Sequence, residues 1–325
     1  MLKTTRTTRS NRKFLAALIA ASGSFLVGIF LPLDFGTNPA KSVNQAVEIK
    51  SDINNDSTDV DNSKIDENVL QEIVTIKPAI ASKVKASQNS LKNIELRRFN
   101  FAIPKRFQGK VVKDLKLTGP DKYIALTFDD GPWPKTTEMI LDILKENEIK
   151  ATFFVIGEHL KYNQELAPKI VNEGHVLANH TWNHPTYKMG KDQVQSEVGR
   201  TAELIYELTG MTTTLFRPPG GVLDNGLADF VKDRNHVVVM WSSNSFDWED
   251  LSAEKVTKNV LKEVSNGGIV LLHDGGGPRM HVVKALPKII EELRKQGYKF
   301  VTVSELLEIK DRELTKQEKA EKSRQ

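Results

Sequence analysis

Five clusters of polar residues interrupt an otherwise regular stretch of this sequence: Asp129-Asp130, Asn179-His180-Thr181-Trp182-Asn183-His184, Arg217-Pro218-Pro219-Gly220-Gly221, Asn244-Ser245-Phe246-Asp247-Trp248 and His273-Asp274. Two histidines four apart, with a carboxylate nearby, offer two nitrogens and one oxygen to a divalent metal and leave positions open for water and substrate. Adjacent carboxylates at one strand exit point different ways, so one can bind metal while the other stays free. Arg217 before two prolines sits on a stiff loop, from which a guanidinium beside Asp129 would orient that carboxylate and keep it ionised. His273, with Asp247 in reach, can hold the proton that a leaving amine needs. Four of the clusters also have a plainer reading. Asp-Asp-Gly-Pro is good turn chemistry, His180 and His184 can be satisfied surface histidines, Arg217 a surface ion pair, and His273 a core histidine bonded to backbone. The chain has no cysteine, which excludes thiol catalysis, cysteine-bound zinc, iron–sulfur clusters and a disulfide scaffold.

The elements that must position these residues form a repeating pattern from Gly119 to Ile309. Apolar β-rich runs occur at Tyr123–Phe128, Ala151–Val155, His175–Ala178, Leu215–Phe216, His236–Trp241, Gly268–Leu272 and Lys299–Val303. Between them lie helical patterns, such as Met139, Ile140, Ile143 and Leu144, or Val282, Val283, Leu286, Ile289, Ile290 and Leu293. Apolar strands alternating with helices predict a parallel sheet covered on both faces. The number of repeats favours an α/β fold of the distorted or incomplete (β/α) barrel kind, with an open doubly wound sheet as the alternative. In a parallel barrel the strand ends open on one face, so all five clusters would meet at one mouth. Gly275-Gly276-Gly277 lacks both the dinucleotide and the P-loop pattern and reads as a mobile loop.

Thr127–Pro132 (TFDDGP), His180–His184 (HTWNH), Arg217–Gly221 (RPPGG), Ser245–Trp248 (SFDW) and Leu271–Asp274 (LLHD) resemble, in order, the five motifs of NodB-type polysaccharide deacetylases, carbohydrate esterase family 4. The resemblance covers the whole folded segment. It implies a distorted (β/α) barrel and metal-dependent removal of N-acetyl, sometimes O-acetyl, groups from glycans. It further implies that Asp130, His180 and His184 bind a divalent metal, typically zinc and sometimes cobalt. Asp129 would be the general base, His273 the general acid and Arg217 the residue that positions Asp129. Trp248 and Leu271 would wall the acetyl pocket, and a backbone N–H near Gly220 would help hold the oxyanion. One departure stands out: Asn244 occupies a position that is often acidic, which weakens acid catalysis if the missing acid is the one that supports His273 and changes little if Asp247 does that. The expected substrate is N-acetylglucosamine in peptidoglycan or a chitin-like polymer. An O-acetyl esterase and a catalytically inactive glycan-binding barrel are the alternatives.

The rest of the chain reads as address and tether. Lys3, Arg6, Arg9, Arg12 and Lys13 precede an apolar run from Phe14 to Leu33 with no clear cleavage site. Residues 1–33 therefore predict a signal-anchor, or else a cleaved signal peptide, with the catalytic part outside the cytoplasm. Residues 34–118 predict a disordered linker, on the strength of stretches such as SDINNDSTDVDNSKIDEN at 51–68. Residues 119–309 are the expected catalytic domain and 310–325 a charged tail. Basic residues exceed acidic ones only by 46 to 42, which makes no case for nucleic acid. The membrane, through the N-terminal helix, and the acetylated polysaccharide are the expected partners; no protein partner is expected.

Overall fold

The computed structural model describes residues 103–249 and 251–324. The expected membrane segment, and the linker as far as residue 102, lie outside them. Among the described residues no helix is long and apolar enough to cross a membrane.

The chain alternates strands and helices: β1 (Val111–Val112), β2 (Lys122–Asp129), α1 (Thr136–Glu146), β3 (Thr152–Val155), α2 (Gly157–Tyr162), α3 (Leu166–Asn172), β4 (Val176–Asn179) and α4 (Lys191–Thr209). It continues with β5 (Leu215–Phe216), α5 (Leu227–Lys232), β6 (Val237–Val239), β7 (Ser243–Asn244), α6 (Ala253–Lys262), β8 (Gly268–His273), α7 (Met280–Lys295), β9 (Tyr298–Phe300) and α8 (Val303–Lys322). The strands pair in the order β1-β6-β5-β4-β3-β2-β8-β7, with β9 added beside the start of β2, and every strand pair is parallel. The single stretch from Val237 to Asn244 supplies β6 near one end of this order and β7 at the other. Along it, Met240 N–H donates to Val112 O at 2.7 Å and Ser242 N–H to Ile269 O at 3.0 Å. The sheet therefore curls on itself as an incompletely closed barrel, and the open doubly wound alternative is not what forms.

Alternation along the strands sends apolar side chains to both faces of the sheet. Phe128 and Phe153 stack at 5.1 Å on the outward face, in a cluster with Ile140, Leu144, Leu286 and Leu293 of the helices. Phe154, one residue on, turns inward with Ala125, Val176, Ala178, Leu215, Val237, Val239 and Ile269 to fill the barrel. Burying one such aromatic side chain contributes roughly 1.5–3 kcal/mol, which is why an all-apolar strand such as TFFV is stable only with both faces covered.

Two expected boundaries need correction. Residues 103–118 are not linker: Ile103, Phe107, Val112, Leu115 and Leu117 are buried in the same inner cluster as Phe154. They join Val303, Leu306 and Leu307 of α8 there. The segment has no helical or strand period and is basic, so its apolar side chains carried no signal. The charged tail also belongs to the fold, because α8 runs unbroken from Val303 to Lys322. Its outer turns hold Arg106, whose Nε donates to Asp311 at 2.5 Å and whose Nη1 donates to Glu318 at 2.8 Å. The motif after the fifth expected strand follows β7, a short strand that the sequence reading did not separate from β6.

Candidate active site

β2 ends at Asp129, and Asp130 follows with a left-handed backbone (φ 70°), which turns the two carboxylates apart. Gly131 comes next because nothing larger fits: a Cβ there would lie 2.1 Å from Oδ2 of Asp274. Asp274, at the end of β8, is fully buried, accepts the Thr137 hydroxyl hydrogen at 2.6 Å and donates its N–H to Asp129 O at 3.0 Å. Burial pushes its pKa up to about 7 against the opposing Thr137 hydrogen bond, with Asp130 and Asp129 adding to the rise. This side chain thus props the turn that carries both catalytic candidates.

Asp129 Oδ1 accepts from Nη1 of Arg217 at 2.6 Å. Arg217 has no exposed surface at all, and its remaining donors are used on Thr127 Oγ1 (2.8 Å), Val239 O (3.0 Å) and Met240 O (3.2 Å). The guanidinium lies over the Phe154 ring at 4.1 Å. Burial lowers its pKa, and the Asp129 charge acts against that. The expectation that Arg217 orients Asp129 matches this geometry, and the surface ion-pair reading does not.

His180 and His184 converge through a turn that is not helical. Thr181 and His184 both have positive φ (70° and 57°), so the segment is a left-handed turn. It is pinned by Asn179 Oδ1 accepting Thr181 N–H at 2.9 Å and by Thr181 Oγ1 accepting His184 N–H at 3.0 Å. Glu197 of α4 takes the N–H groups of Trp182 (2.9 Å) and Asn183 (2.7 Å). The two imidazole rings end 4.9 Å apart.

Asp130 Oδ1 lies 3.5 Å from His180 Nε2 and 3.4 Å from His184 Nε2. It is buried and has no hydrogen-bond partner, a state that costs about 1–3 kcal/mol unless a cation supplies the missing partner. Burial would raise the Asp130 pKa, but the neighbouring imidazoles, His180 first and then His273 and His184, hold it well below the usual carboxylate range. One ligand atom from each of Asp130, His180 and His184 falls within 4.8 Å of the others. His180 Nδ1 is 2.7 Å from Arg217 O, which leaves Nε2 with its lone pair facing Asp130. These residues fit a divalent metal.

Opposite them, His273 Nδ1 is 2.6 Å from Asp247 Oδ1, and His273 N–H donates to Asp247 Oδ2 at 2.8 Å. Burial alone would lower the His273 pKa, but the bond to Asp247, its charge and the charges of Asp130 and Asp129 raise it to about 9. Asp247 itself is fully buried. Asn244 spends its Oδ1 on Phe246 N–H at 3.0 Å, so the missing acid is not needed to hold His273.

Asp129, Asp130, His180, His184 and His273 line one cleft of about 360 Å³, with Pro218, Gly220, Gly221, Trp241, Asn244, Trp248, Leu271 and Arg279. Leu271 is 3% exposed, whereas Trp248 is 44% exposed with its ring edge-on to His273 at 5.6 Å, so one is wall and the other rim.

The family model for polysaccharide deacetylases matches residues 116–239. A peptidoglycan-N-acetylglucosamine deacetylase of Bacillus cereus is 41% identical over 192 residues, which are 58% of this chain and 90% of that one. The chain belongs to the polysaccharide deacetylase family. A peptidoglycan-N-acetylmuramic acid deacetylase of Bacillus subtilis, PdaC, is 36% identical over 190 residues, 58% of this chain and 39% of its own length. Among solved structures, the Bc1960 peptidoglycan N-acetylglucosamine deacetylase, bound to a naphthyl N-hydroxybenzamide, superposes with a TM-score of 0.58 at 34% identity, covering 61% of this chain and 92% of that one. The cleft therefore belongs to a polysaccharide deacetylase, a hydrolase.

Sequence reasoning missed several residues of this deacetylase cleft. Asp274 closes its motif with no signal of its supporting role. Trp241 reads in the sequence as the end of a strand, yet it lines the cleft. His159, whose Nδ1 is 2.5 Å from Asp130 O, and Glu197 carry no spacing that separates them from other polar residues of their helices. The Gly275–Gly277 loop packs against the site itself, since a Cβ on Gly275 would lie 2.0 Å from Asp130 O.

Proposed function

We propose that this chain hydrolyses N-acetyl groups of an extracytoplasmic glycan, N-acetylglucosamine in peptidoglycan or a chitin-like polymer, releasing acetate. The observation that carries the reading is one cleft with a free base and a separate acid, each fixed by its own buried partner: Asp129 by Arg217 and His273 by Asp247. The names of the Bacillus cereus relative and of the Bc1960 structure favour peptidoglycan as the polymer. Binding alone needs no such pair, which weighs against an inactive glycan-binding barrel.

Asp130, His180 and His184 would hold a divalent metal, zinc by preference, with cobalt or another divalent ion as the alternative. When bound, such an ion supplies Lewis acidity for an amide carbonyl and lowers the pKa of water from about 15.7 toward about 7. Asp129, with Oδ1 tied to Arg217, keeps Oδ2 to accept the proton of the attacking water. A backbone N–H near Gly220 donates to the carbonyl oxygen as it gains charge. His273 then donates a proton to the nitrogen, which leaves as an amine and not as the far more basic amide anion. Asp247 holds the ring during that transfer. Leu271 and Trp248 flank the acetyl methyl. The apolar run from Phe14 to Leu33 would keep the protein at the membrane, with the catalytic domain outside the cytoplasm.

Acetate release by the purified protein from peptidoglycan, chitin oligosaccharides and acetylated xylan, with and without chelator, tests the reading. Chelation should abolish release and added zinc or cobalt restore it. His184→Ala should lower metal content and turnover together. Release that persists in metal-free protein, or none from any N-acetylated glycan, would refute it. Cell fractionation tests the location: full-length protein in the membrane fraction, cleaved by external protease, is the expected result, and a shortened soluble form beginning after Leu33 would replace the anchor with a cleaved signal.

A further inference from the structure

Two guanidinium groups serve this site: Arg217 lies beneath the cleft and is committed to the fold, and Arg279 lines the cleft itself. Arg217 is wholly buried and uses its Nε, Nη1 and Nη2 on Asp129, Thr127, Val239 and Met240. Arg279 is partly exposed at the start of α7, and its one side-chain hydrogen bond among the described residues runs from Nε to Gly275 O, at 2.9 Å. That bond anchors the group through Nε and leaves Nη1 and Nη2 without a protein hydrogen bond among the described residues, on a side chain that lines the cleft. The preceding glycines bring it there. Gly275 lets the loop run against the Asp130 backbone, and at Gly276 a Cβ would sit 3.0 Å from Asp130 Oδ2 and 3.3 Å from Arg279 Nη2. Arg279 thus faces the candidate metal ligand across a single glycine.

A planar group held through Nε with both terminal nitrogens free matches a carboxylate with two parallel N–H···O bonds. Elsewhere the cleft presents two acids, Asp129 and Asp130, which would repel an anion. We infer that Arg279 forms an anion subsite that takes a carboxylate borne by the glycan, on the acetylated sugar or on the ring next to it. This rests on the deacetylase reading and narrows it: the preferred substrate is an acidic acetamido glycan, with neutral chitin-like chains the poorer one.

The test uses the full-length protein and its Arg279→Gln and Arg279→Lys variants, after thermal melting confirms that each is folded. Acetate release is measured on two substrates, a neutral N-acetylglucosamine oligosaccharide and a glycan fragment of similar length that carries sugar carboxylates. Arg279→Gln should lower the ratio of kcat/KM on the carboxylated over the neutral substrate about tenfold or more, mainly through KM, the size of one charge-assisted pair. Arg279→Lys should recover part of that ratio, and rising salt should erode it in the wild type. An unchanged ratio, or equal losses on both substrates, would overturn the subsite and leave Arg279 as a support for the Asp130 loop. A parallel titration follows binding of the carboxylated fragment by calorimetry, without turnover. If neither substrate is cleaved, the deacetylase reading fails, and weaker binding by Arg279→Gln still reports the subsite; equal binding there removes it.

Discussion

Asp247 holds His273 at two points, accepting from the ring Nδ1 at 2.6 Å and from the backbone N–H at 2.8 Å, while His281 Nε2 lies 2.6 Å from Asp247 O. A carboxylate fixed this way keeps the imidazole in one tautomer, with Nε2 free for the cleft, and favours its charged form.

Replacing Asp247 by Asn should therefore lower the His273 pKa from about 9 and move the alkaline limb of the rate profile to lower pH. The proton on His273 matters for an amine leaving group and little for an activated ester. Hydrolysis of N-acetyl substrates should fall by about 10²-fold or more, and hydrolysis of an aryl acetate much less. Equal losses on both would mean that His273 only positions substrate.

Arg217 tests the other half of the pair. Arg217→Ala strands a buried Asp129 carboxylate, and unfolding in urea should show about 3–5 kcal/mol of lost stability along with lost activity. Arg217→Lys should rescue little, because one ammonium cannot reach Thr127, Asp129, Val239 and Met240 together. Asp129→Asn keeps the volume and removes the proton acceptor, so turnover should drop by about 10²–10⁴-fold while metal content is retained.

His175 gives the fold an acid-sensitive point away from the cleft. It is buried beside Phe153, its Nδ1 accepts Ala151 N–H at 3.1 Å, and its Nε2 has no partner. Burial, with Lys150 adding to it, lowers its pKa from 6.5 to about 3. The unfolded chain takes up the proton below about pH 6.5 and the native one only near pH 3. Stability is thus present above pH 6.5 and lost as pH falls, at up to about 1.4 kcal/mol per pH unit. His175→Gln, which keeps an acceptor, should flatten the melting temperature between pH 6.5 and 4; an unchanged slope would assign the acid loss to other groups.

The extended domain boundary can be checked by truncation. A chain starting at Gly119 loses Ile103, Phe107, Val112, Leu115 and Leu117 from the barrel interior, each worth roughly 1.5–3 kcal/mol against a domain stability of about 5–15 kcal/mol. It should fail to melt cooperatively, whereas a chain that begins just ahead of Ile103 should fold.

The sequence by itself determined the parallel α/β architecture, because strands such as Thr152–Val155 are apolar on both faces and need cover on both. It also determined the chemistry at the strand ends, since side chains of these types after consecutive parallel strands must share one rim. Tertiary structure alone decided how they meet. His180 and His184 converge through a left-handed turn that no helical spacing describes, held by Glu197 from a helix that begins seven residues after His184. Asp274 supports Gly131 from more than a hundred residues away, and Arg279 reaches the cleft only because Gly275 and Gly276 pack on Asp130. Closure of the barrel floor by residues 103–117 was equally illegible. Local pattern reports what a segment needs to bury along its own axis; which distant side chain completes a turn, a carboxylate or a core depends on contacts between elements, and no periodicity encodes those.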